Sequence, residues 1–208
     1  MNKTTSNEIL KILNEVIKNP VSELNYHNHF ELLIAVMLSA QTTDKRVNIV
    51  TKDLFLKYPT AKELMNASII DVINIIKPVG LYENKAKNII AASKMIYENY
   101  NNIVPNNLDE LLKIPGVGKK TASVVLIEGF NIPAMPVDTH LYRMAKRLGY
   151  IKKDGTIDDA IKSYEKYIDK NEWKKAHHLF LLYGRYHCKS QNPDCNNCNL
   201  IKYCKHYK

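Results

Sequence analysis

Four cysteines crowd the last 21 residues: Cys188, Cys195, Cys198 and Cys204, spaced C-x6-C-x2-C-x5-C. Four soft ligands on one short loop, with little apolar sequence around them to build a core, call for a metal centre. A structural zinc usually draws on two C-x2-C knuckles, or on two cysteines and two histidines, and this loop has a single knuckle. A [4Fe–4S] cluster also takes four thiolates, and as a larger body it accommodates uneven spacing. Spacing alone leaves both open and leans to the cluster. Disulfides fit less well, because nothing else in the sequence points to an oxidising compartment.

A second constellation lies upstream. Residues 108–130 read LDELLKIPGVGKKTASVVLIEGF. The pattern predicts a short helix ending near Lys113, a tight turn through Ile114, Pro115, Gly116, Val117 and Gly118, and a second helix from Lys119. This is the helix-hairpin-helix pattern. Its glycines let the backbone turn and come close to a ligand. The N–H groups opening the second helix lack intrahelical partners, and the helix dipole adds positive potential there. A phosphate fits that site without any base being read. Lys119 and Lys120 stand directly behind the turn. Eighteen residues past Lys120 comes Asp138, in Val137-Asp138-Thr139-His140, at the start of another predicted helix. Taken singly, Asp138 reads as a helix N-cap and Lys120 as a solvated lysine or a phosphate contact. His27, His29, His177, His178, His187 and His206 show no ligand spacing.

The elements that must hold these residues are helical nearly throughout. Ile9, Leu10, Ile12, Leu13, Val16 and Ile17 form one apolar stripe. Start signals pair Thr5 with Glu8, Thr60 with Glu63, Ser68 with Asp71, Asn107 with Glu110 and Thr156 with Asp159. Pro20, Pro59, Pro105 and Pro133 mark breaks, and Gly80 and Gly149 read as C′ glycines. No alternating run flanked by hairpin turns is present. The pattern predicts an all-α chain of about ten helices of 8–18 residues with short connections. A boundary is expected in 131–136, where two prolines separate helical patterns.

Charge narrows the partner. The chain of 208 residues carries 30 basic and 21 acidic groups, for a net charge of +9. Segment 113–152 has seven basic and two acidic residues, segment 174–208 has seven and one, and 1–112 is balanced. Lysine outnumbers arginine 26 to 4, but a lysine bias alone would spread the surplus evenly. A footprint confined to two segments points to a polyanion, and the soluble candidates are nucleic acids. The composition, 45% hydrophobic and 25% charged, is that of a globular chain. No apolar stretch approaches the ~20 residues of a membrane span, and the start of the chain carries no secretory signal pattern.

Together these marks resemble the endonuclease III family, the bifunctional DNA glycosylase/AP lyases of base excision repair. The resemblance runs over essentially the whole chain. It rests on FELLIAVMLSAQTTD (30–44), VGLYENKAKNI (79–89), LKIPGVGKKTASVVL (112–126), VDTH (137–140) and the cysteine loop. It implies a six-helix domain over 22–132 that contains the helix-hairpin-helix motif. It implies a second, discontinuous helical domain built from 1–21 and 133–208, with a C-terminal [4Fe–4S] loop and a DNA-binding cleft between the two. It implies that Cys188, Cys195, Cys198 and Cys204 hold the cluster, that Lys120 is the nucleophile and that Asp138 is its carboxylate partner. A deprotonated amine is required; the helix start, the neighbouring Lys119 and a site that closes over DNA all favour one. The implied contacts to DNA come from Ile114 to Gly118, Lys119 and His140, with Gln41 and Leu81 filling the gap left by an extruded nucleotide. The implied substrate is double-stranded DNA holding damaged pyrimidines or abasic sites, and the implied enzyme is a monomer, cytoplasmic and nucleoid-associated, with no membrane partner. Two departures stand out: Lys119 replaces an arginine common in the family, and Glu128-Gly129 makes an unusual helix end.

Three other readings compete. Adenine glycosylases of this architecture usually lack a lysine at position 120 and carry a further C-terminal domain, whereas this sequence has the lysine and stops four residues after Cys204. A pyrimidine-dimer glycosylase shares the architecture. A non-catalytic DNA-binding module would form no imine with abasic DNA.

Overall fold

The computed structural model describes residues 1–207, and among them the regular elements are helices alone. They are α1 (Lys3–Val16), α2 (His29–Leu38), α3 (Asp44–Lys57), α4 (Ala61–Met65), α5 (Ile69–Ile76), α6 (Tyr82–Asn99), α7 (Leu108–Lys113), α8 (Lys119–Gly129), α9 (Thr139–Leu148), α10 (Ile157–Tyr167) and α11 (Trp173–Tyr186). Short 3-10 turns span Lys170–Glu172 and Ile201–Tyr203. The helices number eleven, and α4 and α7, with 5 and 6 residues, fall below the expected length range. No helix is long and apolar enough to cross a membrane among the described residues. The chain divides into two units, Ser22–Ile132 on the one hand and Met1–Val21 with the residues from Pro133 onward on the other.

Unit 22–132 carries seven helices, six if the single-turn α4 is set aside. At its centre lies α2, buried at every position from Glu31 to Leu38. A helix that is apolar all round must be covered on all sides; α3, α6 and α8 pack against it. Its start is held by Asn28, whose side chain accepts from Glu31 N at 2.9 Å, while the Glu31 carboxylate accepts from His27 N at 2.8 Å. Gly129 has its reason here. A Cβ at that position would lie 2.9 Å from Leu32 Cδ2, and His29 Nε2 already stands 2.9 Å from the Gly129 carbonyl oxygen. The glycine lets the end of α8 close against α2. The helix ends at Gly129; two residues on, Asn131 turns left-handed at φ 53 and Ile132 N returns to Leu126 O at 3.0 Å.

The other unit is built around Ile9 and Leu13 of α1, with Leu141, Met144, Tyr164, Leu179 and Phe180. Full burial of one such aliphatic side chain contributes about 1.5–3 kcal/mol. Ser6 and Tyr150 share a buried hydrogen bond of 2.6 Å across the same core. Gly184 of α11 sits where a Cβ would be 3.0 Å from His140 Cβ, so its lack of a side chain sets how closely α9 and α11 approach.

Two expected boundaries move. Asn2, rather than Thr5, caps α1, accepting from Thr5 N at 2.8 Å. An asparagine one turn earlier satisfies the orphan amides first, so the helix begins there. Gly80 does not close α5 as a C′ glycine: α5 gives way at Lys77, and the left-handed residue is Leu81, at φ 57. Gly149 does close α9, at φ 73, and Thr156 with Asp159 forms a complete capping box.

Candidate active site and metal centre

The hairpin is α7, the turn 114–118, and α8. Gly116 is glycine for two reasons. Its φ is +79, and a Cβ would lie 2.8 Å from the Asn88 Cβ. Gly118 differs: its φ is −96 and nothing stands within 4 Å of where its Cβ would be. The open face at Gly118 is therefore available to a ligand rather than taken by the protein. Gly118 is the N-cap of α8, no side chain caps that helix, and no acidic residue occupies its first turn. The first amides of α8 and its dipole are thus directed at solvent, the arrangement that receives a phosphate. Ile114 and Val117 are buried, so their side chains brace the turn and their backbone alone can face a partner. Lys119 and Lys120, the first two residues of α8, are exposed.

Asp138 opens α9 in the other unit. Its Oδ1 accepts from His140 N at 2.8 Å and from Leu141 N at 2.9 Å. The N-cap reading is thereby real, and it engages one of the two carboxylate oxygens. His140 Nδ1 lies 3.1 Å from Arg143 Nη2. Arginine only donates, so Nδ1 is the acceptor and the ring proton sits on Nε2. The same guanidinium donates to Gly184 O at 2.6 Å and to Cys188 O at 2.9 Å. Burial pulls its pKa down, which those carbonyl partners make tolerable.

Gln41 and Leu81 stand in turns of the first unit, before α3 and before α6. Leu81 is 59% exposed, so its side chain takes no part in the core. Six non-glycine residues have left-handed backbones among the described residues; four are asparagine, the residue that tolerates it best, and the other two are Gln41 and Leu81. Strain of this kind gathers at functional positions.

The four cysteines are free thiols lining one small cavity with Arg147, Tyr183 and His187. Arg147 Nη1 donates to Cys188 Sγ at 3.2 Å and to Lys189 O at 2.8 Å, and Tyr183 OH lies 3.4 Å from Cys198 Sγ. Burial, then Cys198, Cys204 and Cys188, push the Cys195 thiol up. Four thiolates gathered round one cavity would repel one another unless a cation joined them. Among the described residues no three His, Cys, Asp or Glu groups are arranged to hold a single metal ion.

The model of the HhH-GPD superfamily of base excision DNA repair proteins matches residues 34–170. The chain is 44% identical to endonuclease III of Rickettsia felis over 97% of its length and 94% of the relative's. It is 46% identical to that of Bacillus subtilis over 88% and 84%. A solved structure of a trapped endonuclease III–DNA covalent intermediate superimposes with a TM-score of 0.95 at 43% identity, covering 99% of this chain and 96% of that one. The chain belongs to the endonuclease III family. It is a base excision repair enzyme, a DNA glycosylase and AP lyase acting on damaged pyrimidines.

Within this family member, the structure groups the expected residues into four sets: the hairpin with Lys119 and Lys120, Asp138 with His140, Gln41 beside Gly80-Leu81, and the four cysteines. Lys120 and Asp138 belong to different units. Three residues escaped sequence reasoning: Arg143, Arg147 and Lys85. Arg143 and Arg147 recur at helical spacing after His140 and so share its face of α9, a signal that was present. Lys85 of α6, described below, carried none.

Proposed function

We propose that the substrate is duplex DNA holding an oxidised pyrimidine or an abasic site, and that Lys120 is the nucleophile. The observation that carries this is the exposed Lys120 in the first turn of α8, directly behind an uncapped glycine turn suited to phosphate. Binding the backbone at Gly116, Gly118 and Lys119 brings C1′ of an extruded nucleotide to the amine. Nζ attacks C1′ and the damaged base leaves with the glycosidic electron pair. The nitrogen gives up its proton as the sugar ring opens to the imine. The imine acidifies C2′; loss of a proton there expels the 3′ phosphate by β-elimination. Asp138 stabilises positive charge growing on the sugar and assists the proton transfers. Its cap uses Oδ1, so we assign Oδ2 to the substrate. His140 offers Nε2–H to a phosphate. Gln41 and Leu81 fill the gap in the duplex. The related endonuclease III trapped as a covalent DNA intermediate is the outcome expected of an amine nucleophile.

Cys188, Cys195, Cys198 and Cys204 suit a [4Fe–4S] cluster: all four line one cavity, and their uneven spacing is easier to wrap round a larger body than round zinc. The cluster supplies a four-point crosslink that shapes the loop, while the bond-breaking steps belong to Lys120 and Asp138. Purified protein should show broad visible absorption and about four iron atoms per chain; colourless protein with one zinc would refute this. Leu200 is the loop's one deeply buried aliphatic residue. Cys198→Ser should therefore lose iron and solubility together, since little else keeps the shape.

We further infer a monomer that works on the nucleoid. A panel of damaged duplexes tests the reading: oxidised pyrimidines should be released, and borohydride should fix the protein to abasic DNA. Release of pyrimidine dimers alone would make it the sister glycosylase, and absence of trapping would leave a binding module. Affinity should fall with salt at a log–log slope of roughly −0.9 per phosphate neutralised. Lys119→Glu should weaken binding far more than Lys52→Glu, an equally exposed reversal in the balanced half; equal effects would sink the charge map.

A further inference from the structure

Gln41 and Leu81 are 40 positions apart in the chain, yet one side chain ties their turns together. Lys85 lies in the first turns of α6, and its backbone N–H donates to Leu81 O at 3.0 Å. The residue is 7% exposed. Nζ donates to Leu38 O at 2.8 Å, Ala40 O at 2.7 Å and Thr42 Oγ1 at 3.0 Å. An ammonium has three protons, and all three are used. The acceptors flank Gln41 on both sides. Leu38 O and Ala40 O lie at the end of α2, where carbonyls lack helical partners and the dipole is negative. The two turns are neighbours in space: a Cβ at Gly80 would be in ordinary contact with Gln41 O, at 3.9 Å.

Burial lowers the Lys85 pKa, and no carboxylate offsets it. A buried cation without a counter-ion is costly, and an apolar side chain of similar length would fill the space at less expense. Meanwhile Gln41 and Leu81 hold left-handed backbones, which are strained and persist only where their surroundings impose them. A lysine that joins these two turns, and touches nothing else through its amine, has a purpose beyond packing.

We infer that Lys85 is a positioning residue for damage recognition: it clamps the Gln41 turn to the Leu81 turn, so that both side chains enter the duplex as one rigid unit. This rests on the reading of Gln41 and Leu81 as the gap-filling pair. It adds that their action is joint and depends on a residue that itself never meets DNA. The clamp lowers the ordering cost of insertion, because neither turn has to be set separately when the nucleotide leaves the stack.

The test compares wild type, Lys85→Met and Gln41→Ala/Leu81→Ala, and combines all three changes. Single-turnover rates are measured on a duplex with an oxidised pyrimidine and on one with a ready-made abasic site. A 2-aminopurine placed opposite a non-cleavable abasic analogue reports insertion by its fluorescence. Lys85→Met should slow the lesion duplex about tenfold to hundredfold, slow the abasic duplex much less, and blunt the 2-aminopurine signal at saturating protein. Added to Gln41→Ala/Leu81→Ala it should do almost nothing further, because the clamp then has nothing to position. A loss that is equal on both substrates, or additive with the pair, would make Lys85 a fold residue and overturn the inference. Should Gln41→Ala/Leu81→Ala itself keep the wild-type lesion rate, the gap-filling reading fails instead. Thr42→Val removes a single acceptor from a half-buried turn residue. It should show the same substrate-selective loss in smaller measure, and it decides the matter alone if Lys85→Met does not fold.

Discussion

Lys120→Gln is expected to abolish strand cleavage and borohydride trapping while lesion-duplex affinity stays within about tenfold, which is ~1.4 kcal/mol. The grip survives because it is built from backbone. Gly116 keeps its left-handed turn against Asn88, Gly118 keeps its open face, and Ala122 N keeps its bond to Gly118 O at 2.9 Å, whatever side chain follows at 120. Lys120 is exposed, so the fold should tolerate the change within about 0.5 kcal/mol. Glutamine preserves length and polarity but offers an amide nitrogen, whose lone pair is delocalised and cannot attack C1′. Loss of chemistry with retained binding is thus the signature of a nucleophile rather than of a phosphate contact. The neighbour supplies the control. Lys119 is equally exposed and one residue away; Lys119→Gln should weaken binding and leave trapping intact in the bound complex. Trapping that persists in Lys120→Gln and disappears in Lys119→Gln would transfer the role to the adjacent amine.

What could be read from the sequence was what local chemistry dictates. The hairpin depends on a proline, a glycine that needs φ of +79 and an uncapped helix start, all within a few residues. The cysteine loop declares itself by four sulfurs in a short stretch. The all-helical chain follows from periodicity, and α2 from an apolar run too continuous for any surface helix. What could not be read depends on partners far away in the chain. Lys85 looks like any of 26 lysines until the end of α2 folds over it. Arg143 and Arg147 were visible as a stripe on α9, but their acceptors, Gly184 O and the Cys188 carbonyl and sulfur, come from α11 and the loop beyond it. Gly80 misled because a glycine just before a helix invites the left-handed turn, whereas the residue that takes it is the next one, Leu81. Glu128-Gly129 made sense only once His29 and Leu32 stood over it. Asn2 displaced Thr5 as a cap because two good caps compete and the one that adds a turn of helix wins.

Asp138→Asn separates charge from structure at the second site residue, and the geometry says how. Asp138 Oδ1 takes both cap bonds, from His140 N at 2.8 Å and Leu141 N at 2.9 Å. Asparagine presents the same oxygen in the same place and caps equally well. The variant should therefore fold, bind the lesion duplex and melt close to wild type. It loses the negative charge that we propose faces the sugar. Base release passes through an oxocarbenium-like state, and removal of one preorganised electrostatic group costs about 10²–10³-fold in rate. Imine formation at a ready-made abasic site should suffer much less, because no base has to depart. Asp138→Ser extends the test: serine also caps but carries no charge, so it should match asparagine. Asp138→Ala removes cap and charge together, and should add a stability loss of about 1 kcal/mol to the same kinetic defect. The comparison is read as rate per folded molecule against melting temperature. If Asp138→Asn and Asp138→Ser turned over normally and Asp138→Ala were merely less stable, the carboxylate would be a helix cap and nothing more. If all three lost base release equally while the first two melted like wild type, the charge is what the chemistry uses, and the cap is the device that aims it.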